Sequence, residues 1–599
     1  MLEFEPKFES LVQVFNASTH KYADRPLFGV KRDGQWQWMT YGEWGNRVRR
    51  MRTALHNLGI EAGDRVAVIA NNSPEWAIGA YASYGLGAAY VAMYESQLDK
   101  DWKYILGDCG AKLLFVANEQ IAQRVRAFRH ELPDLKEVVL FSGEPAKGEH
   151  AFADLLQSEP SDLVDPGPDA IADFIYTSGT TGNPKGVRLS HQNLAYNVSA
   201  IHEVFPMEPD DRSLCFLPWA HVFGQTVELH GLISMGASIG LAEAVDKIIA
   251  NLAEIRPTLF FSVPRVFNRI YDGLHARMAQ EGGLKKKLFD AAIETAERRK
   301  RLAAEDKRSA WLDFKFKVLD SLVFSKVRER FGGRLKYAFS GGAAISREVA
   351  EFIDDLGIMV YEGYGLSETS PIATMNYPGA RKLGSVGKPI PGIAIEIDVA
   401  ATEGSEDPTE GEIIIYGHNI MQGYHNLDEA NAEVLVEKDG RRGFRSGDMG
   451  HVDDEGFLHI TGRVKEQYKL LNGKYVVPTP IEEKIKLSPF ISNVMVYGMN
   501  REFNVAIVIP DFEVLKGWAA EKGLSTDPAS LAKSPEVREL IEQEVNRLSA
   551  DFKGYEKVRK IFIGDEDFTP DNGMLTPTLK LKRRVVQQRY NDAIESLYA

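Results

Sequence analysis

Short apolar, β-branched runs alternate along much of the chain with longer stretches whose apolar residues recur at helical spacing. "DRVAVIA" precedes "EWAIGAYASYGLGA", "AKLLFVA" precedes "IAQRVRAF", and "DFIYTS" precedes a glycine-rich turn and then "HQNLAYNVSAI". Buried parallel strands read as continuous apolar runs, and the helices between them supply the crossovers. The pattern predicts βα units around largely parallel sheets. From about Gly384 it changes to short strands broken by Gly, Asp and Pro turns, as in "GKPIPGIAIEID", "GEIIIYG" and "GHVDDEGFLHITG". That stretch predicts a small antiparallel, β-rich subdomain. Past Arg463, strands such as "SNVMVYGM" and "NVAIVIP" mix with the amphipathic helix "PEVRELIEQEVNRLSADF". A chain of 599 residues exceeds one hydrophobic core. The expected class is therefore α/β, with a large N-terminal domain over 1–463, its β-rich part at 384–463, and a smaller α+β C-terminal domain over 464–599.

Composition adds exclusions. At 44% hydrophobic and 26% charged residues the chain reads as globular and soluble. A net charge of −14 gives no general attraction to nucleic acid, so none is expected as a partner. Two cysteines, Cys109 and Cys215, exclude a disulfide framework and an all-cysteine zinc site, and suit a reducing compartment. "MLEFEPKFES" is acidic where a secretory signal would be basic, the tail "ESLYA" matches no organelle address, and no run approaches twenty apolar residues. A cytoplasmic protein is expected.

One segment runs against the overall charge. From Arg265 to Arg334 there are eighteen Lys/Arg against ten Asp/Glu, a surplus of eight, including Lys285 to Lys287 and Arg298 to Arg301. Apolar positions such as Leu284, Leu288, Ala292, Leu319, Leu322 and Val323 recur at helical spacing. The segment reads either as solvated amphipathic helices or as a basic face for peripheral contact with an anionic membrane.

The strongest chemical signal is "YTSGTTGNPKGVRLSHQNL", Tyr176 to Leu194. It is not a Walker loop, because neither Gly179 nor Gly182 is followed after four residues by Gly-Lys-Ser/Thr. Strand, turn and helix signals nevertheless follow in order, with Ser190 placed to cap the helix. Gly179, Gly182 and Gly186 allow a tight backbone that presents N–H groups to a phosphate. Thr177, Ser178, Thr180 and Thr181 add hydroxyls, and Lys185 adds charge. Elsewhere, Tyr364 between Gly363 and Gly365 offers a flat face for a purine, with Gly341, Gly342 and Ala343 allowing close approach on the other side. Glu368 can hold Mg²⁺ on phosphate oxygens, and Thr369 can donate to the α-phosphate. Asp448 can accept ribose hydroxyls, and Arg463 can bridge phosphate and ribose. Taken singly, Tyr364 also fits plain packing and Asp448 a plain "GD" turn.

Five motifs in order resemble the adenylate-forming, or AMP-binding, superfamily: the loop at Thr177, "GYGLSETSP", "FRSGDMG", "GRVKEQYKLLNGKYVVPTPIE" and "LTPTLKLKRR". The resemblance spans essentially the whole chain. It implies that the loop, with Thr181 among its catalytic residues, steers the β- and γ-phosphates of ATP, which leave as pyrophosphate. It also implies a metal role for Glu368, a hinge at Lys465 about which the C-terminal domain reorients, and a catalytic lysine at Lys580. Lys582 is a rival, since "TLK" stands where the wider family has Ser-Gly-Lys. "SVPRVFNRIYDG" and the long helical insertion after it are similar to long-chain fatty acyl-CoA synthetases. In "LPWAHVFGQTVELHGLISMGASIG", Trp219, His221 and Phe223 are expected to wall the acyl carboxyl end, His221 as a catalytic residue, with small residues leaving an acyl channel or else serving close packing. The implied reactants are ATP, Mg²⁺, coenzyme A and a long-chain fatty acid, in a monomer or homodimer. A fatty acyl-AMP ligase serving a separate carrier protein and a non-catalytic nucleotide-binding regulator remain as alternatives.

Overall fold

The computed structural model describes residues 4–177, 183–401, 407–576 and 579–599. The chain divides into two compact units, one built from 4–177, 183–395 and 415–444, the other from 396–414 and 445–599.

The predicted βα alternation in the first unit builds two sheets. The first orders His150–Ala151, Glu137–Leu140, Leu113–Val116, Arg65–Ile69, Ala89–Met93, Ile171–Thr177 and Lys185–Ser190. Its pairs are parallel except the last, which is antiparallel. That pair differs from the strand–turn–helix reading of the glycine-rich segment. The chain returns as a strand, with Lys185 opposite Thr177, before entering the helix His191–Val204. Val187 and Leu189 are buried and Arg188 between them is not, which is strand periodicity. The helix begins where Ser190 and Asn193 exchange capping hydrogen bonds, each side chain accepting from the other's backbone N–H.

The second sheet has nine strands, in the order Lys388–Pro389, Ile372–Met375, Val360–Gly365, Tyr337–Ser340, Leu259–Ser262, Arg212–Cys215, Ser238–Leu241, Pro26–Arg32 and Gln35–Thr40. Its centre is parallel and both ends turn antiparallel. Between Arg212–Cys215 and Ser238–Leu241 in sequence lies a π-helix, Phe223–His230, running on into the helix Gly231–Met235.

This π-helix is tied to the other sheet through a buried carboxylate. Asp173, on the strand Ile171–Thr177, accepts from the Tyr84 hydroxyl at 2.9 Å and from Gln225 Nε2 at 3.0 Å. All three side chains are buried. Five residues along the same helix from Gln225, His230 Nδ1 lies 2.9 Å from the Tyr81 hydroxyl. Burial pushes Asp173 up from 3.8 to about 7 and His230 down from 6.5 to about 3, because both charged forms lose hydration. Around this network Trp44, Trp76, Tyr81, Tyr84 and Tyr90 pack largely edge to face.

The expected β-rich stretch forms a five-stranded sheet, in which Arg441–Val452 pairs antiparallel with both Leu435–Lys438 and Leu458–Arg463. The second unit holds a three-stranded sheet of Ile491–Tyr497, Asn504–Pro510 and Val558–Ile563. Alternation along its fully buried central strand serves two cores. Ala506 and Val508 meet Ile481, Leu515 and Ile541, while Val505, Ile507 and Ile509 meet Val586 and Ile594. The expected amphipathic helix is Pro535–Leu548, burying Val537, Ile541, Val545 and Leu548. Among the described residues no helix is long and apolar enough to cross a membrane.

The raised Asp173 pKa makes a pH prediction. A native state that holds a proton the unfolded chain would release is stabilised below the unfolded pKa, and loses that stability as pH rises through the folded value. Asp173 should therefore depress the Tm progressively between pH 4 and 7. Asp173→Asn keeps the shape and can pair with a turned Gln225 amide, whose Oε1 has no partner in the present orientation. Thermal melts across this range should fall less steeply for the variant, and equal slopes would reject Asp173 as the titrating group.

Candidate functional site

Parallel strands of the nine-stranded sheet end along one edge, and the residues singled out in the sequence follow them there. Trp219, His221 and Phe223 come after Arg212–Cys215, and Gly341 to Ala343 after Tyr337–Ser340. Gly363, Tyr364 and Gly365 close the strand Val360–Gly365. Ligands of open α/β sheets bind beyond the carboxyl ends of such strands.

Steric constraints fix these glycines. The Phe223 ring lies against Gly341, where a Cβ would come within 3.3 Å of it. Gly342 is exposed and has φ +82°, a left-handed conformation that favours glycine. At Gly365 a Cβ would fall 1.7 Å from the Pro371 carbonyl oxygen, so only glycine lets the turn after it fold back. Tyr364 is half-buried between them.

That turn carries Glu368 and Thr369. Thr369 was expected to donate to a phosphate, but it is fully buried and its hydroxyl serves the turn. It accepts from Leu366 N–H at 2.9 Å, and its one proton lies within reach of the carbonyls of Leu366 and Pro371. Glu368 remains half-exposed, and the Tyr424 hydroxyl donates to its Oε1 at 2.7 Å. The Lys185 ammonium sits 4.8 Å from the centre of the same tyrosine ring. Backbone pairing brings Tyr424 there. Gln422 N–H donates to Arg188 O, Arg188 N–H to Gly423 O, and His425 N–H to Gly186 O. Tyr424 thus joins the lysine of the glycine-rich segment to the acidic residue of "GYGLSETSP". The sequence reading missed it, although an aromatic beside glycine in "MQGYHN" was a weak signal.

Thr177 ends its strand opposite Lys185. Ser178, Gly179, Thr180, Thr181 and Gly182 lie outside the described residues. His221 is half-buried, and its Nδ1 accepts from Phe223 N–H at 3.2 Å, which places the proton of the neutral ring on Nε2. Trp219 does not wall a site. It is fully buried against Trp76, with ring centroids 5.4 Å apart, and belongs to the aromatic core. Of the small residues read as a channel (Gly224, Gly231, Gly236 and Ala237), Gly236 serves packing, since a Cβ there would lie 2.7 Å from the Tyr22 ring. Gly224 likewise approaches the carbonyls of Leu217 and Pro218.

In the second unit Asp448 and Arg463 face each other across the antiparallel pair, and Arg463 Nε donates to Asp448 Oδ1 at 2.7 Å. Lys465 lies in the single 3₁₀ turn Val464–Glu466 that follows. Lys580 and Lys582 differ sharply in setting. Lys580 is exposed, on a tight loop where Thr576 N–H donates to Lys580 O and Leu579 N–H to Thr576 O. Lys582 is half-buried and starts the helix Arg583–Arg589. Arg583, also missed, fixes that helix start by pairing with Glu482 and, at 3.3 Å, with Glu466. Glu466 is the neighbour of Lys465, so one guanidinium links the turn of one lysine to the loop of the other.

Among the described residues no three His, Cys, Asp or Glu cluster to hold a metal unaided. A single carboxylate suits Mg²⁺, which takes most of its ligands from phosphates and water.

Comparison with known proteins places the chain. The AMP-binding enzyme model matches residues 15–425, and the AMP-binding enzyme C-terminal domain model matches 465–599. A long-chain-fatty-acid–CoA ligase of Mycobacterium tuberculosis is 33% identical over 94% of this chain and 93% of its own. The peroxisomal long chain acyl-CoA synthetase 7 of Arabidopsis thaliana is 31% identical over 99% and 87%. Solved structures at lower identity share the fold. The adenylation domain of a carboxylate reductase from Mycobacterium chelonae has a TM-score of 0.79 at 22% identity, covering 99% of this chain and 92% of that one. ATP-bound MatB from Rhodopseudomonas palustris has 0.69 at 22%, covering 97% and 99%. The chain belongs to the AMP-binding enzyme family.

Proposed function

We propose that the protein activates long-chain fatty acids for transfer to coenzyme A. The fatty carboxylate attacks the α-phosphorus of ATP, the α–β bridging P–O bond breaks, and pyrophosphate leaves. The thiol sulfur of coenzyme A then attacks the carbonyl of the acyl-adenylate, and AMP departs with the anhydride oxygen. The observation that carries this reading is the near full-length identity to proteins named long-chain-fatty-acid–CoA ligases, at 33% and 31%. Neither a carrier-protein ligase nor a non-catalytic regulator is favoured by those names.

In this reading Tyr364 stacks on adenine above Gly341, Gly342 and Ala343, and Asp448 holds the ribose, oriented by Arg463. Lys185 and the segment Thr177 to Gly182, Thr181 included, hold the β- and γ-phosphates. Glu368, steadied by Tyr424, is the protein's ligand for Mg²⁺, which neutralises phosphate charge when bound. His221 offers its Nε2 proton to the acyl carboxyl end. Lys580 bridges the carboxylate and the α-phosphate, and the C-terminal domain, 464–599, turns about Lys465 between the two half-reactions. The protein works in the cytoplasm and touches membrane surfaces reversibly, where its substrate partitions.

Glu368→Ala should lower pyrophosphate release about 100-fold or more even at saturating fatty acid. Tyr424→Phe keeps the ring over Lys185 but drops the hydroxyl on Glu368. It should raise KM for MgATP about tenfold, the order expected for one hydrogen bond to a charged group. An unchanged KM in a titration of MgATP would remove Tyr424 from the metal-nucleotide site.

The two half-reactions can be separated. Lys580→Ala should lose adenylate formation by about 100- to 1000-fold while still converting supplied acyl-adenylate and coenzyme A to thioester. Lys465→Pro, with φ fixed, should retain adenylation and fail in thioester transfer. Should Lys582→Ala rather than Lys580→Ala abolish the first step, the catalytic assignment moves by two residues. Equal loss of both steps in Lys580→Ala would count against the hinge.

A further inference from the structure

The basic segment folds into the helices Pro264–Glu281, Gly283–Ala304 and Ala310–Leu319, the last continuing through the π-turn Asp320–Phe324 into Ser325–Arg330. Its lysine run does not form the active face. Lys285 pairs with Glu281 at 2.9 Å and Lys286 with Asp290 at 2.6 Å, both four residues away, as solvated helix surfaces do.

The helix Ala310–Leu319 and its continuation are different. Trp311, Phe314, Val318 and Leu322 are 71%, 60%, 43% and 49% exposed. Steps of three, four and four residues put them in one stripe, whereas Leu312, Leu319 and Phe324 of the same stretch are buried. The Trp311 and Phe314 rings stack with centroids 6.1 Å apart. The helix is held firmly beneath them, because Arg299 pairs with Asp313 at 2.7 Å and lies over the Phe316 ring at 4.2 Å. Arg308, Lys315, Lys317 and Lys326 lie in the same stretch of chain, at least partly exposed, and are ion-paired to no acid among the described residues.

We propose that this stripe and its cations form a docking surface for an anionic lipid bilayer, an inference that rests on the fatty-acid reading only for its purpose. Exposed Trp and Phe set among unpaired Lys and Arg is the composition of a helix lying in the membrane interface. Four side chains fall far short of the roughly 20–30 residues a side of a stable protein interface, which disfavours a second copy as occupant. Charge also sets orientation. In a protein of net −14, the stretch Arg308 to Lys326 that carries the stripe has four Lys/Arg against two Asp/Glu, which favours an anionic surface. The rings then enter the acyl boundary while the cations stay at the headgroups.

Sedimentation of the full-length protein with phosphatidylglycerol-containing and pure phosphatidylcholine vesicles, at low salt, tests this. The protein should bind the anionic vesicles about tenfold or more tightly. The combined change of Trp311, Phe314, Val318 and Leu322 to Ser should abolish binding, and Lys315→Glu with Lys317→Glu should remove the preference for anionic lipid. Trp311→Ser alone, the mildest change, should weaken binding severalfold. Turnover of fatty acid delivered from cyclodextrin, which needs no membrane, should persist in all three variants and reads the ligase assignment separately. Wild-type protein that ignores anionic vesicles, or a four-residue variant that sediments like wild type, overturns the proposal. So does a variant whose solution mass drops from dimer to monomer, since the stripe then joins two copies of the chain.

Discussion

The first unit depends on what a buried carboxylate can accept. Asp173 lies in the strand that leads into the glycine-rich segment, and its two oxygens are taken by Tyr84 and Gln225. Such a group is tolerated inside a protein only with its partners in place. The pairing therefore fixes the π-helix Phe223–His230 relative to the strand Ile171–Thr177. Phe223 opens that helix and covers Gly341, while His221 just before it receives the Phe223 N–H. The position of the loops at one sheet's carboxyl edge is thus set partly by a hydrogen bond to the other sheet.

The fold was legible wherever burial matched local periodicity. Runs such as "DRVAVIA" and "NVAIVIP" became largely buried strands because few other structures hide so many β-branched residues in succession. The strand Lys185–Ser190 was not read, because glycines and a proline before it resemble the entry to a phosphate-binding helix, and its alternation spans only Val187 to Leu189. The π-helix was equally obscure. Gln225, Glu228 and His230 are polar at spacings that suggest an exposed face, yet all three are buried. For Gln225 and His230, partners brought in from distant segments, Asp173 and Tyr81, make that burial tolerable, and those lie beyond any local pattern.

At the site, residues in contiguous motifs were legible and residues brought in by pairing were not. Glu368 and Lys185 stood out by type and neighbours, whereas Tyr424 reaches them through backbone contacts between segments 235 residues apart. Arg583 had the same problem, because its partner Glu482 is 101 residues away. Trp219 erred in the opposite direction: its motif suggested a surface for ligand, and its indole went to the core. Thr369 illustrates a further limit, since a hydroxyl near a phosphate motif can be consumed by the turn that positions its neighbour.

The strand Lys185–Ser190 is the last of its sheet, and a terminal strand normally exposes a ladder of unpaired N–H and C=O groups to other chains. Here residues 422–425 lie along it and take up that bonding capacity. The same hydrogen bonds seat Tyr424 between Lys185 and Glu368. Protection against edge-to-edge aggregation and assembly of the charged site are one set of interactions. A substitution that frees this edge therefore exposes an adhesive surface and dismantles the site together, so solubility and activity at this position fall as a single trait.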